Sequence, residues 1–185
     1  MARARAEGAR QKISVLRIGH RPGRDPRLST HVALAARALG AERLFLNPPD
    51  PSLERRVGEI SKRWGGGFEV VGAPEWKAVL RSFPQAVAHL TMYGEPLDEL
   101  EPKLRGADPL LLVVGGAKVP SEIYRLSTWN LAVGHQPHSE VAALSIVLDR
   151  LLGTPGPGGW PGARQVIVPQ RRGKKVIAPV AEALP

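Results

Sequence analysis

Apolar and polar positions along this chain change period in a regular way. Short apolar runs recur at Lys12–Ile18, Arg43–Leu46, Phe68–Val71, Val87–Leu90, Pro109–Val114 and Leu131–Val133. Between them, apolar residues return at helical spacing in Thr30–Leu39, Ser52–Trp64, Pro74–Ser82, Pro96–Leu104 and Pro120–Leu126. Strand-like and helix-like periods that alternate in this way predict an α/β domain, a parallel sheet with helices on both faces. Pro109–Val114, PLLLVV, carries no polar position, as expected of a central strand covered on both sides. Cap residues mark the helix limits. Ser29 or Thr30 opens the first helix and Gly40 stops it; Ser52 opens the second and Gly65-Gly66-Gly67 closes it.

The most informative stretch is Leu131–Leu152, LAVGHQPHSEVAALSIVLDRLL. A short strand meets the polar turn Gly134-His135-Gln136-Pro137-His138-Ser139, and a helix follows at once. That helix is apolar nearly all round, so it is expected to be buried on more than one side. In open α/β sheets ligands bind at the carboxyl ends of strands, which is where this turn falls. After it the pattern changes to the Gly/Pro-rich segment Gly153–Gly162. Two β-like runs come next, Arg164–Val168 and Lys174–Val180, around Pro169-Gln170-Arg171-Arg172-Gly173; they read as an appended basic hairpin. The expected organisation is a disordered basic extension over 1–11, the main domain over 12–153, a linker over 154–163 and the hairpin over 164–180.

Composition narrows the class. The chain has 185 residues, enough for one domain with a full core. No apolar run reaches the roughly 18 residues of a membrane span. The N-terminus is basic with no apolar segment behind it, so it does not read as a secretory signal. There is no cysteine. Disulfides, thiolate metal sites and a cysteine nucleophile are therefore excluded, and a cytoplasmic protein is expected. The net charge of +9 is uneven: residues 1–30 hold eight Arg/Lys against two Asp/Glu, and residues 161–185 hold five against one. The remainder of the chain is nearly balanced. Basic clusters at Arg17–Arg27 and Arg171–Lys175 fit a polyanionic partner, above all nucleic acid. As an alternative, the hairpin charges guard the edge of a short sheet.

Three turns stand at the carboxyl ends of expected strands: 90–94 (LTMYG), 114–118 (VGGAK) and 133–138 (VGHQPH). Their glycines let a ligand approach the main chain closely. Gly115-Gly116 has neither the G-x-G-x-x-G spacing nor a following GK[ST], so nicotinamide and ATP sites of those kinds are not expected. No His/Asp/Glu group has convincing metal spacing. The loop Gly19-His20-Arg21-Pro22-Gly23-Arg24-Asp25-Pro26-Arg27 gathers three arginines suited to phosphate, with Asp25 placed to orient one of them. His31 reads equally well as structural or catalytic, His89 reads as a packed or capped histidine, and Glu140 reads as a favourable charge at a helix start.

Six blocks then appear in order: RIGHRPGRDPRLSTHVALAARALGAERL, KRWGG, HLTMYG, GGAKVP, VGHQPHSEVAALSIVLDRLL and VPQRRGKKV. Together, over roughly Ile13–Val176, the chain resembles the archaeal tRNA (cytidine(56)-2'-O)-methyltransferase family of the SPOUT class. The resemblance implies a deep trefoil knot, S-adenosyl-L-methionine as cofactor, a homodimer, no metal, and tRNA as substrate, methylated on the T-loop cytidine at position 56. It maps the cofactor pocket onto Leu90; onto Val114, Gly115, Gly116, Ala117 and Lys118; and onto Val133, Gly134, His135, Gln136, Pro137, His138 and Ser139. The 2'-hydroxyl needs its proton removed or its oxygen polarised. Arg21 is the first catalytic candidate, with His20 and Arg27 beside it. Arginine stays protonated, so it would polarise rather than act as a base; His20, His31 and His138 are more conventional bases. Arg24, Arg171, Arg172, Lys174 and Lys175 are the RNA-binding candidates. Two alternatives stand: a SPOUT methyltransferase for another tRNA or rRNA ribose, and an RNA-binding protein with a degenerate cofactor site.

Overall fold

A computed structural model describes residues 10–24, 26–84, 86–116 and 118–178. Six strands form one sheet in the order β3-β2-β1-β5-β4-β6, and every neighbouring pair is parallel. They are β1 (Ile13–Ile18), β2 (Arg43–Asn47), β3 (Glu69–Gly72), β4 (Val87–Pro96), β5 (Leu110–Gly115) and β6 (Trp129–Ala132). The helices are α1 (Pro26–Leu39), α2 (Pro51–Trp64), α3 (Trp76–Arg81), α4 (Leu97–Arg105), α5 (Glu122–Leu126) and α6 (Glu140–Leu152). The expected parallel α/β sheet is therefore present. Among the described residues no helix is long and apolar enough to cross a membrane.

The strand sequence PLLLVV works as read. In β5, Leu110, Leu112 and Val114 join a core shared with α1, α2, α4 and α6, while Leu111 and Val113 join another with α3 and α5. The period-two alternation sends successive side chains to opposite faces, and both faces are covered. β1 follows the same alternation. Arg17 shares the face of Ile13 and Val15, beside Leu46 of β2 and Val114 of β5.

Several boundaries differ from the sequence expectation. α1 begins at Pro26 rather than Thr30. Proline has no N–H to lose in the first turn and its φ is already helical. Ser29 therefore lies inside the helix, and its hydroxyl meets His20 instead of capping. Asp25 lies outside the described residues. Asp50, not Ser52, caps α2: its carboxylate accepts from Ser52 N and Leu53 N. α6 is buried on more than one side, as expected, against α1, α4 and the sheet, and leaves Ile146 45% exposed. β4 does not stop at Leu90. Leu90 and Glu95 both stand opposite Leu131, so residues 91–94 are looped out of the ladder before the strand resumes. Gly94 allows the return, because a Cβ there would fall on the Asn130 carbonyl.

The C-terminal segment is docked rather than merely tethered. Arg164 N and Gln165 N donate to Arg63 O at the end of α2, at 3.0 and 3.1 Å. Gly65, with φ +74°, leaves room for the main chain of Trp160 and Ala163. Beyond it, β7 (Val166–Ile167) and β8 (Val176–Ile177) form the antiparallel hairpin, shorter than expected; Pro179 and Val180 lie outside the described residues. At the other terminus, residues 10 and 11 of the expected disordered extension are held. Gln11 Nε2 donates to Leu104 O at 2.6 Å, and Arg10 stacks over Trp160 at 4.9 Å.

Candidate functional site

The carboxyl ends of β5 and β6 and the looped-out residues of β4 open into a pocket of about 460 Å3. Three walls come from the expected turns: Leu90 from the first, Gly115 and Gly116 from the second, and Val133, His138 and Ser139 from the third. The turns are brought together because β4 lies between β5 and β6. A parallel sheet points all its carboxyl ends the same way, so three strand-end loops become one site.

Other expected residues are placed differently. Val114 is buried behind the wall, 1% exposed, and Lys118 is exposed. Gly134 and His135 line a neighbouring cavity of about 290 Å3 with Ala132 and Pro96. Gln136 and Pro137 are exposed on the turn, and Ala117 lies outside the described residues. His135 Nε2–H donates to Gly94 O at 3.3 Å, tying the third turn to the loop of β4. Ser139 caps α6 through Val141 N at 3.2 Å.

The rest of the expected 90–94 turn is present too: the looped-out segment brings Thr91, Met92 and Tyr93 to the pocket, and α5 adds Tyr124, which sequence reading passed over. Glu140, read only as a helix-start charge, also lines the pocket and forms an ion pair with buried Arg17 of β1. His89, read as a packed histidine, is buried yet reaches the wall. Burial lowers its pKa below the ordinary histidine value, with the Asn130 hydrogen bond opposing that shift. The HLTMYG block marked this neighbourhood, and nothing local marked Tyr124; Arg17, read as part of the basic cluster facing a polyanion, is instead buried against Glu140.

The arginine loop follows β1. His20 N donates to Asn47 O at 2.9 Å and extends the β1–β2 ladder. The His20 ring is buried between two partners, Ser29 Oγ at 2.8 Å and Asp50 Oδ2 at 3.1 Å. Arg21, Arg24 and Arg27 are all exposed. None of them lines the pocket, but Leu28, next to Arg27 in α1, does. The loop therefore borders the pocket with its cationic side outward. His31 is exposed on α1. On the hairpin, Arg171, Arg172, Lys174 and Lys175 are exposed together around its turn. Among the described residues no three His, Asp or Glu side chains gather as metal ligands.

A second cavity, about 430 Å3, lies beside the start of β2 and the end of α2. Its buried Arg37 donates to Gly65 O at 2.6 Å and to Ser61 Oγ at 3.3 Å. These bonds hold the turn after α2, so this cavity reads as part of the seat for residues 160–163.

Comparisons with known proteins bear on the same elements. Two curated archaeal proteins named tRNA (cytidine(56)-2'-O)-methyltransferase align along most of the chain. That of Haloarcula marismortui is 47% identical over 175 residues, 92% of this chain and 97% of its own. That of Thermococcus kodakarensis is 47% identical over 176 residues, 91% of this chain and 98% of its own. Among solved structures, the SpoU methyltransferase AviRb from Streptomyces viridochromogenes, in complex with AdoMet, matches with TM-score 0.53 at 18% identity, over 79% of this chain and 61% of that one. The A. aeolicus TrmH/SpoU tRNA modifying enzyme matches with TM-score 0.55 at 16% identity, over 77% and 75%. At those identities the likeness is one of fold, and the fold is that of SpoU and TrmH methyltransferases. Residues 64–177 match the family described as tRNA ribose 2'-O-methyltransferase, aTrm56. On that match, and on relatives aligned along nine-tenths of its length, the chain belongs to this family.

Proposed function

We propose that the protein methylates the ribose 2'-hydroxyl of cytidine 56 in tRNA, with S-adenosyl-L-methionine as methyl donor. The observation that carries this reading is the pocket itself, whose three walls are strand-end turns adjoining the arginine loop. Its chemistry fits the cofactor. Gly115 brings main chain to the wall where a side chain would collide with Val119. The volume also falls in the range of small-molecule sites. Leu90, Gly115, Gly116, Val133, His138 and Ser139 would hold the cofactor.

When bound, the cofactor would supply an electrophilic sulfonium methyl group: the O–CH3 bond would form as the S–CH3 bond breaks, with the neutral thioether S-adenosylhomocysteine as leaving group and loss of the hydroxyl proton. The chain's part is to bring that hydroxyl to the pocket and to aid loss of its proton. Arg21 is our candidate for polarising the oxygen. It keeps its own proton, so the proton acceptor is another group of the site or the RNA. Arg24 and Arg27 are read as phosphate or ribose contacts. His20, with both ring nitrogens engaged inside the protein, is read as the anchor of this loop rather than as the base. The basic hairpin turn is read as a further tRNA contact.

The family likeness also supports a homodimer, a trefoil knot and a cytoplasmic setting. Exposed apolar Tyr93 and Ile146, beside the pocket and on α6, fit a covered subunit face. The order β5-β4-β6 places β4 between the two strands that follow it in sequence, as a threaded crossing requires.

The test is methyl transfer from labelled S-adenosylmethionine to an unmodified tRNA transcript, with the product nucleotide mapped by digestion and mass spectrometry. A 2'-O-methylcytidine at position 56 is the expected product. Methylation at another ribose would keep the enzyme class and overturn the target. No transfer and no cofactor binding would favour an RNA-binding protein with a degenerate pocket.

A further inference from the structure

Asn130 sets the proton position on a histidine at the pocket wall. Its Nδ2 donates to Tyr124 O at 2.9 Å. The other end of the amide, Oδ1, therefore faces His89 Nδ1 at 3.1 Å. An amide oxygen accepts only, so Nδ1 of His89 carries a proton. Burial disfavours the doubly protonated ring, which leaves a neutral imidazole with its lone pair on Nε2. The ring plane is fixed as well, for Tyr124 packs edge-on against it at 4.8 Å and 89°. Among the described residues no partner engages Nε2, and His89 lines the pocket.

The neutral, oriented acceptor faces the pocket, where an N–H or O–H of a ligand can reach it. Its neighbours do not compete for it. Val113 of β5 stands beside His89 and has no polar side chain, while Tyr124 OH lies 3.3 Å from Thr91 Oγ1. We infer that His89 Nε2 accepts a hydrogen bond from an N–H or O–H of the bound cofactor. This rests on the reading of the pocket as a site for S-adenosylmethionine, whose donors are the adenine amino group, the ribose hydroxyls and the ammonium.

The experiment is imidazole 15N NMR of the full chain, titrated with S-adenosylhomocysteine, adenosine and methionine separately. In the free protein His89 is expected as the Nδ1–H tautomer, with Nε2 resonating in the unprotonated range. Saturation with S-adenosylhomocysteine is expected to move the Nε2 resonance upfield, as acceptance of a hydrogen bond does. A similar shift with adenosine assigns the donor to the nucleoside, and a shift with methionine alone assigns it to the ammonium. Calorimetry on His89→Phe, in variant protein shown by circular dichroism to be folded at the working temperature, is expected to show roughly tenfold weaker binding, the loss of about one hydrogen bond. A protonated Nε2 in the free protein, or an Nε2 resonance unmoved at saturation, overturns the inference while leaving the methyltransferase reading intact. Failure of the wild-type chain to bind S-adenosylmethionine or S-adenosylhomocysteine at all removes both.

Discussion

His20 and Asp50 join the arginine loop to the start of α2: the imidazole Nε2–H donates to Asp50 Oδ2 at 3.1 Å. The other carboxylate oxygen caps the helix, accepting from Ser52 N at 2.9 Å and Leu53 N at 3.2 Å. Burial pushes this carboxyl up, but the hydrogen bonds from Leu53 N, His20 and Ser52 outweigh it and hold the pKa below the usual 3.8. A depressed folded pKa gives stability that is complete above the unfolded value and lost as pH falls through the folded one. Asp50→Asn retains a good capping acceptor without the charge. Its unfolding free energy should therefore decline less than the wild type's below roughly pH 4, measured by urea titration across that range. Parallel declines would show that the carboxylate carries no such linkage.

Removing the ring of His20 separates anchoring from binding. His20→Ala leaves Ser29 Oγ and Asp50 Oδ2 without their partner in a buried place, at a cost of about 1–3 kcal/mol. The loop then loses its fixed position. We expect methyl transfer to fall by at least tenfold while S-adenosylmethionine affinity stays within about twofold, since a group held within hydrogen-bond reach contributes mainly through orientation. An equal loss in both would place His20 in the cofactor site instead.

Arg17 and Glu140 form an ion pair between the carboxyl-terminal end of β1 and the first turn of α6, with the Arg17 side chain 3% exposed. Breaking one partner leaves a buried charge. Arg17→Met alone should lower stability by about 3–5 kcal/mol. The double variant Arg17→Met with Glu140→Leu should lose clearly less than the sum of the singles. Additive losses in denaturant unfolding would mean the two groups act independently.

Gly65 holds φ +74°, and a Cβ there would sit 2.6 Å from Trp160 O and Ala163 N. Gly65→Ala should cost about 1–3 kcal/mol from backbone strain, and the contact should loosen residues 160–178. Limited proteolysis is expected to cut the variant first between residues 153 and 165, faster than the wild type. An unaltered cleavage rate would show that the C-terminal segment is held by other contacts.

Arg171, Arg172, Lys174 and Lys175 surround one exposed turn. Changing all four to Gln should weaken tRNA binding and flatten its salt dependence, because each phosphate contact adds somewhat under one unit to the log–log slope. Cofactor affinity should not change, as none of the four lines the pocket. Unaltered tRNA affinity at low and high salt would leave the hairpin a structural part.

Much of this molecule follows from local pattern. The all-apolar PLLLVV run and the alternation of periods determined a covered parallel sheet, and the glycine-containing turns marked the elements that line the pocket. Charge counts along the chain picked out the two basic segments, for which sequence distance is enough. Other features were decided only by tertiary structure. The strand order that stacks β4 between β5 and β6 depends on how the faces of distant helices pack, and it turned Tyr124 and Glu140 into pocket residues. The register slip that loops out residues 91–94 arises where Gly94 meets the Asn130 carbonyl, a contact between positions far apart in sequence. The same holds for histidine chemistry. In sequence His20 looked like a base and His89 like packing. Their partners, Ser29 and Asp50 for one and Asn130 for the other, closed off both nitrogens of the first and left one nitrogen of the second facing a pocket. Hydrogen-bond partners reach across the sheet, so a residue's protonation and availability are properties of the fold, whereas periodicity and net charge are properties of the chain.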